Sequence, residues 1–189
     1  MKQSKNIAVF GSSRPLPGSA QYENARIIGR AVAESGWTVV TGGYNGTMEA
    51  ASKGAKEAGG STIGVTTDFL GRKGLTANEY VDSEIHTPEY GNRLMKLCEI
   101  SDGYIIMRGG TGTLTELFFS WELEKKIPVP PKPIVLFGDH WPRIIDFLAE
   151  ELPDEYSFSR HLDLLAYTED PGQAVEIIRA GLSRKTGTL

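Results

Sequence analysis

The feature that most constrains this 189-residue chain is a repeated unit: a short apolar run, a glycine, then a helix pattern. "NIAVF" (6–10) stops at Gly11, "WTVV" (37–40) runs into "TGG", and "GYIIM" (103–107) runs into "RGG". "STIGVT" (61–66), "PIVLF" (133–137) and "LLAY" (164–167) are further strand-like runs, and "EIHT" is a weaker one. These runs are continuously apolar rather than alternating, which is the pattern of strands buried on both faces of a parallel sheet. Helix patterns fill the intervals at 20–36, 47–60, 88–101, 113–126, near 141–151 and near 171–182. In the first of them Ala25, Ile28 and Val32 share one stripe, and Gly36 closes the helix. Strands that alternate with helices define an α/β fold. The expectation is one doubly wound, Rossmann-like domain over residues 1–182, its parallel sheet covered by helices on both faces. A tail at 183–189 is expected to fray.

In such a sheet a ligand binds outside the carboxyl ends of the strands. Three glycine-bearing turns fall on that edge: "FGSSRPLPGS", "TGGYNGTMEA" and "RGGTGTLTE". Glycine lets backbone approach a ligand closely, and a helix start offers unpaired N–H groups at the positive end of a dipole. That combination suits a phosphate. Gly-rich turns are common in α/β domains, but three on one edge point to a nucleotide or another phosphorylated ligand. The candidate binding residues are Gly11, Ser12, Gly42, Gly43, Gly46, Met48 and Glu49, together with Gly109, Gly110, Thr111, Gly112 and Thr113. The first turn is not G-x-G-x-x-G and strand two ends in Thr41 rather than an acid, which disfavours NAD. No G-K-[ST] occurs, so the site is not a P-loop.

Composition narrows the partners. A net charge of −4 gives no general attraction to nucleic acid or an anionic membrane. No run is long enough to span a bilayer, and the N-terminus does not read as a secretory signal. The single cysteine, Cys98, lies in an apolar helix pattern and reads as core. A reducing cytoplasm is the expected setting. His86, His140 and His161 show no metal spacing, and with one Cys no structural zinc is expected.

One acid stands out. On a helical wheel Leu114, Leu117, Phe118 and Trp121 form an apolar stripe, and Glu116 falls on the other side, between Phe119 and Leu123. An acid in a first turn favours the helix dipole, but that does not account for its apolar neighbours. A partly desolvated carboxylate beside a phosphate cradle is a candidate functional group, and Arg93 is its candidate partner. The expectation is that the two lie within a few ångströms of each other, with Glu116 ionised at neutral pH. Because the helix is apolar all round, it is also expected to sit in or beside a homodimer or higher homo-oligomer interface.

"GGTGTLTE" resembles the P-G-G-x-G-T-x-x-E motif of the LOG ("lonely guy") proteins, which also place an arginine eight residues before a Ser-Asp. Here that arginine is Arg93, before Ser101-Asp102. "GGYNGTMEA" resembles the family's second glycine turn, and the resemblance covers roughly residues 7–137. Related sequences often carry the label "lysine decarboxylase", but no lysine here has a recognisable pyridoxal-phosphate context. The resemblance implies a phosphoribohydrolase that cleaves the N-glycosidic bond of a nucleoside 5′-monophosphate, AMP or a cytokinin riboside monophosphate, without metal or cofactor. It implies that Gly109–Thr113 hold the phosphate and that Arg93 and Glu116 are the catalytic pair. There are two departures: Arg108 stands where the family has proline, and Glu49 where plant-type members have glycine. Arg108 would add positive charge beside the cradle, and Glu49 is expected to face the same cleft as Glu116. These departures keep open an alternative, a protein that binds a nucleotide or a phosphorylated pterin-like cofactor without turnover, and a further one in which only the scaffold is used. The loop 67–82 is expected to influence ligand choice.

Overall fold

The computed structural model describes residues 4–72, 74–126, 131–152 and 159–184. Among the described residues seven strands alternate with seven α-helices, and a 3-10 helix (Ser159–Leu164) precedes the last strand. The strands are β1 (Asn6–Phe10), β2 (Thr38–Thr41), β3 (Thr62–Thr67), β4 (Ser83–Thr87), β5 (Gly103–Ile106), β6 (Ile134–Phe137) and β7 (Leu165–Thr168). The helices are α1 (Ala20–Glu34), α2 (Thr47–Glu57), α3 (Asp68–Gly71), α4 (Tyr90–Ile100), α5 (Thr111–Lys126), α6 (His140–Glu151) and α7 (Pro171–Arg184). All strand pairs are parallel, in the order β4-β3-β2-β1-β5-β6-β7. The chain therefore winds outward from β1 to β4, returns to β5 beside β1, and winds outward again. This is the doubly wound arrangement, with its switch point between β1 and β5.

Successive strand residues point to opposite faces, and each face has its own core. Ile7 and Val9 pack with Ile28, Val32, Ala51 and Ile178 under α1, α2 and α7. Ala8 and Phe10 pack with Leu97, Leu117, Trp121 and Trp141 under α4, α5 and α6. In β1, β5 and β6 both faces are buried, which is why these strands read as unbroken apolar runs.

Some boundaries differ from the sequence expectation. The weak "EIHT" segment belongs to a five-residue edge strand paired along its length with β3. Helix α5 begins at Thr111 rather than 113, because Leu114 N–H already bonds Gly110 C=O. Helix α7 runs through Ser183 and Arg184, which were expected to fray, since Leu182 packs against the core and holds the last turn. Residues 185–189 of the expected tail lie outside the described residues. Among the described residues no helix is long and apolar enough to cross a membrane.

Candidate functional site

The carboxyl ends of β1, β2 and β5 carry the three glycine turns, and backbone hydrogen bonds tie them together. Ser12 N–H donates to Arg108 C=O (3.2 Å), and Ser12 C=O accepts from Thr47 N–H (2.9 Å). A cleft of about 460 Å³ opens above this junction. Of the expected binding residues, Gly11, Ser12, Met48, Gly110, Thr111, Gly112 and Thr113 line it.

Helix α5 presents an open start. A Cβ on Gly110 would meet nothing within 4 Å, and one on Gly112 would meet only the Tyr90 hydroxyl, at 3.7 Å. The N–H groups of Thr111, Gly112 and Thr113 find no backbone acceptor among the described residues, as the first turn of a helix requires. Thr113 is buried, with a hydroxyl that has no partner among the described residues. Gly109 does not line the cleft. A Cβ there would stand 2.0 Å from Thr113 Oγ1, so its role is to let that side chain fold back.

The glycines of the second turn serve the protein rather than the cleft. A Cβ on Gly42 would lie 1.7 Å from an Arg93 guanidinium nitrogen, so Gly42 makes room for that arginine. Gly43, at φ +81°, packs on Thr66, and its carbonyl accepts from Asn78, which docks the 67–82 loop. Gly46 is pressed against the Ser12–Ser13 backbone. Glu49 does not line the cleft; it accepts a 2.7 Å hydrogen bond from Tyr22 of α1. The expectation that Glu49 faces the same cleft as Glu116 is therefore corrected. Adjacent helix residues point about 100° apart, and here Met48 takes the cleft side. Arg108 also departs from expectation. Its side chain turns toward Asp139 (3.5 Å), at the start of α6, and lines a groove between α5 and α6 instead of the cradle.

Arg93 and Glu116 come together as expected, with Nη1 3.8 Å from Oε1. Only 6% and 10% of their side-chain surfaces are exposed. Arg93 is fixed from several directions. Its Nε donates to Val65 C=O (2.7 Å) and its Nη2 to Gly42 C=O (3.1 Å). The rings of Tyr44 and Tyr90 lie 5.5 and 5.9 Å from its Cζ. The Glu116 carboxyl accepts no hydrogen bond among the described residues. Burial pushes it up to about 7, against the opposing pull of Arg93. Burial thus works against the ionised form that was expected, and Arg93 works for it.

The wheel reading of α5 also needs correction. The face turned to the sheet holds Thr113, Glu116, Leu117, Ser120, Trp121 and Glu124. Glu116 shares this face with Leu117 and Trp121, while Phe118 points outward. Buried polar positions made the true inner face look polar.

Sequence reasoning missed Arg14, Tyr44, Leu70, Leu75 and Tyr90, all of which line the cleft. Leu70 and Leu75 come from the 67–82 segment. Tyr90 did carry a signal, since it stands three residues before Arg93 on the same helix face. Among the described residues no cluster of ligating side chains could hold a metal.

A doubly wound parallel sheet with an open helix start at its switch point, beside a buried arginine–glutamate pair, defines a class: Rossmann-like α/β proteins with a cleft at the carboxyl ends of the strands. The chain matches the SLOG cluster4 family over residues 4–148 and belongs to that family, among the LOG-type proteins. It is 35% identical to a Mycobacterium tuberculosis protein named cytokinin riboside 5′-monophosphate phosphoribohydrolase, over 71% of each chain. In structure it is similar to the molybdenum cofactor binding protein of Rippkaea orientalis, with a TM-score of 0.72 and 28% identity, covering 95% of this chain and 98% of that one. The Moco carrier protein of Chlamydomonas reinhardtii is also similar, with a TM-score of 0.73 and 27% identity, covering 96% and 99%.

Proposed function

We propose that this protein hydrolyses the N-glycosidic bond of a nucleoside 5′-monophosphate, releasing the free base and ribose 5-phosphate. The observation that carries the reading is the buried Arg93–Glu116 pair beside the open start of α5. The phosphate sits on the N–H groups of residues 110–113, where the helix dipole favours an anion. Held there, it directs the ribose toward Glu116, so that binding energy remote from the bond positions the reacting carbon.

As the base leaves with the C1′–N electron pair, the ribose gains oxocarbenium character, which a carboxylate stabilises. Ionised Glu116 takes a proton from the attacking water, the water oxygen bonds C1′, and the proton passes to the departing base. A carboxyl poised near 7 suits general-base work at neutral pH. Arg93, anchored by two carbonyls, stays beside the carboxylate through the change of charge.

We place the enzyme in the cytoplasm as a homodimer. Phe118 of α5 and Ile144 and Phe147 of α6 are 36%, 37% and 60% exposed, next to Leu114 and Phe119. Together they make an apolar surface of a kind that monomers rarely leave open. Glu122 on the same helix lies one turn from Lys125 and Lys126, so antiparallel contact with a second copy sets acid against base.

A second reading has its own support: the two cofactor-binding proteins match nearly the whole chain, whereas the named phosphoribohydrolase matches 71% of it. On that reading the cleft holds a phosphorylated cofactor without turnover. Incubation with AMP, followed by chromatography for adenine, separates the two. Adenine release supports the hydrolase. Tight binding of AMP or a co-purified ligand without release of base supports the carrier. Sedimentation at micromolar concentration tests the dimer, and a monomeric mass would refute it.

A further inference from the structure

Among the polar side chains that line the cleft outside the glycine motif and the ion pair, Tyr90 stands against the open start of α5. Tyr90 opens α4, one helical turn before Arg93, and its ring is held on two sides. It lies 5.9 Å from the Arg93 guanidinium and 6.0 Å, edge-on, from the ring of Phe69 in α3. These contacts aim the phenol across the cleft. The hydroxyl oxygen arrives 3.7 Å from the place where a Cβ on Gly112 would stand, beside the open first turn of α5. It has no hydrogen-bond partner among the described residues.

The surroundings already suit a ligand. The buried Thr113 hydroxyl and the Glu116 carboxyl face the same space, and both lack hydrogen-bond partners among the described residues. Two of the five N–H groups of Arg93 are bonded to carbonyls and its Nη1 faces Glu116, which leaves an anion at the α5 start room for a further donor. The α5 amides approach an anion from one side only, since a helix start offers its donors along the axis. A tetrahedral phosphate has oxygens left over, and a neutral hydroxyl donor opposite the amides satisfies one of them without adding charge next to Glu116.

We propose that Tyr90 is a specificity-determining residue whose hydroxyl donates to the ligand's phosphate from the α4 side, closing the anion site that the α5 amides begin. The proposal rests on the assignment of the α5 start as the phosphate site and is independent of turnover. Because the ring bridges Arg93 and Phe69, the same residue joins the phosphate to the loop that supplies Leu70 and Leu75.

The test is Tyr90→Phe, which keeps the ring and its packing and removes only the hydroxyl. Calorimetry with AMP, inorganic phosphate and adenosine reads the effect, and a melting curve establishes that the variant folds like wild type. A hydrogen bond to a charged group predicts AMP and phosphate affinities weakened by about 10- to 100-fold, with adenosine affinity changed less than about 2-fold. Unchanged AMP affinity, or equal losses for AMP and adenosine, would overturn the proposal, as would a wild-type protein that binds neither AMP nor phosphate. If wild type binds AMP but releases no adenine, the hydrolase reading fails while the affinity comparison still decides the role of Tyr90.

Discussion

Two turns in this protein look alike in sequence and do different things. "GGYNGTMEA" and "GGTGTLTE" each follow a strand, carry paired glycines and open a helix with an acid in or near its first turn. At the first, the protein fills its own helix start. Thr47 N–H is taken by Ser12 C=O, Gly46 touches the Ser12–Ser13 backbone, and the Thr47 side chain occupies the space beside Gly11. At the second, nothing among the described residues lies within 4 Å of a Cβ placed on Gly110 at the helix start, and the acid that follows is buried in the cleft. A glycine turn at a helix start is thus only half of an anion site. The other half is space, and the Ser12–Ser13 backbone that follows β1 fills the first turn while Gly110 in the second stays open.

The largest test of that contrast is at the acids. Glu116→Gln keeps shape and removes charge, and turnover of AMP should fall by about 10²–10⁴-fold with little change in affinity. Arg93→Ala should also lower turnover, and the double variant should be little worse than either single if the two act as a unit. Near-full turnover in Glu116→Gln would reduce the carboxylate to a partner of the helix dipole.

The same group sets a pH dependence. Its folded value of about 7 lies above the ordinary glutamate value, so the folded state holds the proton more tightly than the unfolded chain. Stability from this group is therefore full below the ordinary glutamate range and declines as pH rises toward about 7. Activity runs the other way: kcat/KM should rise with pH through about 7 as the base ionises. Glu116→Gln should lose that limb and gain stability relative to wild type mainly at alkaline pH, as paired melting curves would show. A flat wild-type profile through neutrality would contradict the assignment.

A sharper comparison uses the glycines. Gly46 has φ +71°, and a Cβ there would lie 2.5 Å from Ser13 carbonyl carbon. Gly46→Ala should cost about 1–3 kcal/mol, a melting point lower by several degrees. Gly110 has open space, so Gly110→Ala should melt like wild type yet bind AMP about 10-fold more weakly, because its methyl enters the ligand's volume. The reverse pattern would mean that the filled and open turns have been exchanged. The smallest effect belongs to Glu49. Paired with Tyr22 outside the cleft, Glu49→Gln should leave turnover within about 2-fold of wild type.

Much of the architecture was legible because strand burial is written locally. Ile7–Phe10 and Tyr104–Ile106 are apolar at every position, which only a sheet covered on both faces demands, and glycine marks the strand ends. The pairing of Arg93 with Glu116 was legible through spacing and family resemblance. The cleft walls were not. Leu70 and Leu75 reach the site because Asn78 docks their loop on Gly43 and Tyr44, a contact between segments more than thirty residues apart. The inner face of α5 was misread for a related reason. Glu116, Ser120 and Glu124 are buried polar residues, and hydrophobic periodicity assigns polar residues outward.

The sequence by itself determined the alternation of strands and helices, the edge on which the glycine turns gather, and the identity of the acid and the arginine, because propensity, burial pattern and glycine punctuation act over a few residues. Tertiary structure alone decided which glycine turn stays open, which of two early-helix acids faces the cleft, and that burial raises the Glu116 carboxyl. Those depend on distances between segments remote in sequence: Ser12 against Thr47 and Gly46, Tyr22 against Glu49, and Arg93 against Glu116 inside a desolvated pocket. Steric filling and desolvation are set by what the rest of the fold brings near, and no local pattern of residues encodes them.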